Sequence, residues 1–168
     1  MPFAEVLARH FDVRVLDMPG YGRTPRPDHA LSPAELADVV AEYFAETHVP
    51  QAVIVGQSMG CQVAAQLVVR HPLLCKRLVL IGPTVNKWER NLWMQGLRLL
   101  QDTFREPAKA NFIIFSDYLL MGLSRYLKTA KYMIEDRLDE RVRHIATPTL
   151  IVRGSKDKNR SAWLGYAR

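Results

Sequence analysis

Apolar residues follow two rhythms along this chain. In "PFAEVLARH", Phe3, Val6, Leu7 and Phe11 recur near every third or fourth position, which predicts a short amphipathic helix. "DVRVLD" (12–17) alternates and predicts a strand. The next stretch, "MPGYGRTPRPDHA", is rich in Gly and Pro and has no period, so it reads as a loop. A second helix starts in "SPAELADVVAEYFAETH". There Ser32 suits the N-cap, Pro33 the first helical position, and Glu35 completes a capping box. "QAVIVG" is a short β-branched run that predicts a buried strand. "MGCQVAAQLVVRH" is helical and ends at Pro72, and "KRLVLIG" is again a strand. Strands and helices alternating over short links predict a parallel α/β sheet. Such strands are covered on both faces, which accounts for their unbroken Val/Ile/Leu runs. From Pro83 to about Arg143 the pattern is helical throughout, an all-helical insertion, before "TPTLIVRG" restores a strand.

Composition narrows the field without choosing within it. The chain has 168 residues, 48% hydrophobic and 24% charged, enough for one domain with a sizeable core. The net charge of +6 invites a nucleic-acid reading. The basic residues fall singly on helical patterns, however, as solvated faces do, so no nucleic-acid partner is expected. Apolar runs such as "FIIF" and "YLLM" are too short to span a bilayer, and no membrane partner is expected. Cys61 and Cys75 fit no metal or redox spacing. Lone cysteines and a start with Glu5 but no long apolar core suggest a reducing cytoplasm rather than a secretory leader. No cofactor or metal is expected.

The chemistry sits in "VIVGQSMGCQVAAQLVV". "GQSMG" matches G-x-S-x-G, with a strand before it and a helix after it. In that setting Ser58 occupies a sharp turn at a backbone conformation that side chains disfavour. Gly56 and Gly60 would remove Cβ atoms that clash there, and Gln57 completes the bend. The hydroxyl then faces the amino end of the next helix, where the Met59 N–H is the natural donor to a developing oxyanion. The competing reading is a glycine-rich turn whose serine only caps the helix. Cys61, one turn further on, reads as packing.

These motifs together resemble the α/β-hydrolase family, of the kind with a helical cap. "LDMPGYGRTPRP" is similar to that family's loop before the elbow, and "GQSMGCQVAAQLVVRHP" to the elbow and its helix. "KRLVLIGPT" is similar to the following strand, and "TPTLIVRGSKD" to the strand and turn that carry the acid. The resemblance implies a partial α/β-hydrolase parallel sheet flanked by helices over residues 1–168, with a helical cap inserted at 84–145. It implies Ser58 as nucleophile and Asp157 as the acid that would orient a histidine. Asp136 and Asp139, in "EDRLDE", read instead as surface charges.

Two family features do not appear. The order nucleophile, acid, histidine requires a histidine after Asp157, yet His10, His29, His48, His71 and His144 all precede it. The strands that precede the first helix in the family, with the second oxyanion donor, are absent as well. The chain therefore resembles a middle section of a hydrolase. The expected function is hydrolysis of a small apolar ester, thioester, amide or carbon–carbon substrate through an acyl-enzyme on Ser58. The 168-residue chain alone is expected to be inactive. The alternative is a non-catalytic module of the same fold that binds a small apolar ligand or a partner chain.

Overall fold

The structure is a computed structural model and describes residues 2–83 and 123–153. Helix α1 spans Pro2–Leu7 and α2 spans Pro33–Glu46. Strand β1 (Ala52–Gln57) leads into α3 (Gly60–Arg70), and a 3-10 turn at Pro72–Leu74 leads into β2 (Cys75–Ile81). Helix α4 (Leu123–Glu135), the short α5 (Leu138–Arg141) and a 3-10 turn at Val142–His144 then precede β3 (Thr149–Val152). The expected insertion over 84–122 and Asp157 lie outside the described residues.

The strands form a parallel sheet in the order β1-β2-β3. Gln57 pairs with Ile81 and Ile81 with Val152, so all three strands end at one edge. Helix α3 lies between the sheet and α2. One of its faces puts Cys61, Ala64, Ala65 and Val68 against Leu78 and Leu80 of β2, beside Leu138, Val142 and Ile145. The small residues there let helix and sheet approach closely. The other face puts Val63 and Leu67 against Leu36, Ala37, Val40 and Phe44 of α2. Leu36, Leu67, Leu78 and Leu80 are each almost wholly buried, worth about 2 kcal/mol apiece.

Two expectations about the sheet fail. Residues 12–17 do not form a strand. Alternation makes a strand only where a neighbour supplies ladder partners, and among the described residues no strand lies beside this segment. Val15 is accordingly 58% exposed. The sheet is also covered on one face only, among the described residues. Val53, Val55, Leu150 and Val152, which share the opposite face by register, are all exposed. Helix α1 does not cover them, and its own Phe3 and Val6 face solvent. Asp136 is a third correction. It is buried at 8% exposure, paired with Arg141 at 2.8 Å, and not a surface charge.

The start of α2 forms as its sequence predicts. The Ser32 hydroxyl accepts from the Glu35 N–H, and the Glu35 carboxylate accepts from the Ser32 N–H at 2.7 Å. The Ser32 N–H and the Ser32 hydroxyl both donate to Glu35 Oε2 at 2.7 Å, and these two bonds, with His29 at 3.2 Å, pull the Glu35 carboxyl down from 4.5 to about 2. Asp38 is likewise lowered from 3.8 to about 2, first by Arg70 and then by His71, which join α2 to the end of α3. Both pKa values are depressed by folding, so their stabilisation is complete above the ordinary carboxylate range. It is lost as pH falls from about 4.5 towards 2. Both groups are solvent-exposed, so the effect is modest. Urea midpoints at about pH 5 and about pH 2.5 are expected to differ more in the natural chain than in a Glu35→Gln/Asp38→Asn variant. Equal differences would contradict this account.

Candidate active site

Ser58 is one of two non-glycine residues at positive φ among the described residues, at +52°. A β-carbon in this left-handed region crowds the backbone and costs about 1 kcal/mol or more. The structure fixes the turn from both sides. The Ser58 N–H donates to the Ile81 carbonyl at 3.0 Å, continuing the ladder one residue past β1. The Ser58 carbonyl accepts from the Cys61 N–H at 3.0 Å, opening α3. The residue is exposed at the carboxyl edge of the sheet.

Gly56 has the steric role that the sequence suggests. A Cβ there would stand 2.5 Å from the Gly60 carbonyl oxygen and 2.9 Å from the Cys61 Cα. Gly60 does not have that role, because a Cβ on it meets nothing within 4 Å. The close approach is made by the Gly60 carbonyl, not by its α-carbon's substituent. Met59 is the N-cap of α3, and among the described residues its N–H has no backbone acceptor. That amide and the helix dipole behind it are available to a negative charge forming beside Ser58. Gln57 is exposed at the end of β1.

Cys61 belongs to packing. Its thiol donates towards the Gly56 and Ile81 carbonyls at 3.3 and 3.4 Å, and burial pushes it up to about 11. It stays a neutral thiol at physiological pH. The histidines are engaged elsewhere or distant in the fold. His29 faces Glu35, His71 faces Asp38, and His144 ends the turn before β3, at the sheet edge opposite Ser58. Among the described residues none is hydrogen-bonded to Ser58. Gly82, next to Ile81 at this edge, has φ +55° and donates to the Val152 carbonyl at 2.8 Å.

Two side chains near the elbow lie outside the site candidates that the sequence offers. Tyr21, in the loop after residues 12–17, brings its hydroxyl 3.9 Å from Met59 Sδ and 3.5 Å from Thr129 Oγ1 of α4. That loop is held by Asp17, whose carbonyl accepts from the Thr24 hydroxyl at 2.7 Å. Gln62 of α3 is wholly buried. A glutamine among the apolar positions of "CQVAAQLVV" was the available signal for Gln62. Tyr21 gave none.

The family model of the alpha/beta hydrolase fold matches residues 1–157. A pimeloyl-[acyl-carrier protein] methyl ester esterase of Nitrosospira multiformis is 25% identical over 90% of this chain and 68% of its own length. Its namesake from Vibrio cholerae is 33% identical over 54% of this chain and 33% of its own length. Among solved structures, a hydrolase from Pseudomonas aeruginosa superposes with a TM-score of 0.66 at 22% identity, over 89% of this chain and 64% of that one. An alpha/beta hydrolase enzyme from a Medee basin deep-sea metagenome library gives 0.61 at 19% identity, over 80% and 58%. The chain thus spans between a third and about two thirds of the length of these relatives. No helix among the described residues is long and apolar enough to cross a membrane. A match over nearly the whole chain, on a parallel sheet whose first strand turns through a strained serine into a helix, identifies the chain as a member of the alpha/beta hydrolase fold family.

Proposed function

We propose that the chain carries the nucleophile half of a serine hydrolase acting on small apolar esters. One observation carries this reading: Ser58 holds φ +52° at a strand-to-helix turn, exposed, beside an N–H at a helix start. That geometry leaves the hydroxyl exposed for approach to an acyl carbon. Ser58 attacks the carbonyl, the Met59 N–H receives the oxyanion, the alcohol leaves, and water releases the acid from the acyl-enzyme. Asp157 is the acid of this reading, and residues 84–145 are its helical cap. The esterase names of the relatives favour esters over thioesters, amides and carbon–carbon bonds. The reading assigns a cytoplasmic location, in keeping with two free, buried cysteines, and neither nucleic acid nor membrane as partner.

A second reading has its own observation. Among the described residues no histidine is hydrogen-bonded to Ser58, and His29 and His71 face Glu35 and Asp38, which suits a module that binds an apolar ligand or a partner chain without turnover. A fluorophosphonate separates the two readings. Phosphonylation is a single stoichiometric event, so a slow nucleophile can be followed over hours when turnover is too slow to see. Peptide mass analysis is expected to find the label on Ser58 and to lose it in Ser58→Ala. A folded sample that stays unlabelled would leave only the binding reading.

A further inference from the structure

The carboxyl end of α4 meets the elbow helix through polar contacts. Met59, Gln62 and Gln66 are spaced three and four apart on α3 and share one face. Thr129, Met133 and Asp136 are spaced four and three apart on and just past α4 and share another. The two rows meet. Gln62 Nε2 donates to the Met133 carbonyl at 2.8 Å, and Gln66 Nε2 to Asp136 Oδ1 at 3.5 Å. The Tyr21 hydroxyl closes the Ser58 end, between Met59 Sδ and Thr129 Oγ1. The Met133 carbonyl is one of the last in α4, where an acceptor loses its intrahelical donor, so Gln62 also caps that helix. Among the described residues Gln62 Oε1 is buried without a partner.

An apolar seam tolerates sliding, whereas directional bonds fix one register. Among the described residues, the end beside Ser58 is held by the Tyr21 hydroxyl. We propose that Tyr21 is a specificity-determining residue, whose hydroxyl pins α4 to Met59 and so limits the length of acyl chain that reaches Ser58. This rests on the serine-hydrolase reading above. With the hydroxyl in place, α4 is held down on the elbow and short acyl groups are favoured. Without it, α4 still hangs from Gln62 but its Thr129 end can lift.

The test compares the natural chain with Tyr21→Phe, Thr129→Val and the double variant. Each is labelled at Ser58 with a short-chain and a long-chain alkyl fluorophosphonate, and amide hydrogen exchange is followed over 129–133. Each single variant is expected to raise the long-to-short labelling ratio by about threefold, the value of one modest hydrogen bond, and to speed exchange there. The double variant is expected to go no further, because both changes remove one shared contact. An unchanged ratio overturns the inference, even if exchange quickens, since the contact would then be only structural. A natural chain that is folded but unlabelled instead removes the catalytic reading, and the inference falls with it for a different and visible reason.

Discussion

The 168-residue polypeptide is expected to hydrolyse p-nitrophenyl acetate no faster than its own Ser58→Ala variant. On the serine-hydrolase reading Ser58 is the nucleophile, but a nucleophile is not a cycle. A serine hydroxyl is a weak attacker until a base takes its proton, and a general base is worth roughly 10²–10⁴ in rate. All five histidines precede Asp157 in sequence, and His29 and His71 are paired with Glu35 and Asp38. A second oxyanion donor, worth roughly 10²–10³ when removed, has no counterpart among the described residues at the elbow beyond the Met59 amide. Together these deficits amount to roughly 10⁴–10⁷. The measurement is the release of p-nitrophenolate by the two proteins at equal concentration. A rate that clearly exceeds background and vanishes with Ser58→Ala would show that another group serves as base.

Gly56→Ala is expected to be among the most destabilising single-methyl changes in the chain, while Gly60→Ala is expected to be tolerated. The new methyl at position 56 would stand 2.5 Å from one backbone atom and 2.8 and 2.9 Å from two others, all at the start of α3. No side chain can rotate away to make room. The strand must move away from the helix that it positions, at a cost of about 3 kcal/mol, or about 10 °C in melting temperature for a chain of this size. The methyl at position 60 enters open space at a helical position and changes stability by about 0.5 kcal/mol in the favourable direction. Thermal melts of the two variants decide the matter. Equal losses would mean that the turn is not packed as described. Because Ser58 is fixed between the same two elements, Gly56→Ala is also expected to abolish its labelling.

Much of the site was legible because its signals are local. The switch from a β-branched run to a helical period at "GQSMG" specifies a strand, a bend and a helix within a few residues. The capping box at Ser32 and Glu35 is equally self-contained. What was missed depended on residues far apart in the chain. "DVRVLD" has the alternation of a strand, but pairing is decided by what lies beside it. Asp136 sits in a charged stretch that includes its partner Arg141, and only the fold brings Gln66 to it and buries it. The two glycines of the motif look equivalent in sequence, and the distance from each Cβ to α3 is what tells them apart. Tyr21 belongs to a loop whose composition shows no period, and only the fold brings it to both the elbow and α4.

The uncovered side of the sheet has a practical consequence. Val53, Val55, Leu150 and Val152 present β-branched and aliphatic carbon to water, and among the described residues β1 has a ladder partner on one side only. An open strand of sequence "AVIVGQ", with no charge and no proline, is a template on which like strands stack. For the polypeptide in isolation, insolubility would then come from crowding of folded molecules rather than from unfolding, and dilution would preserve it better than cooling.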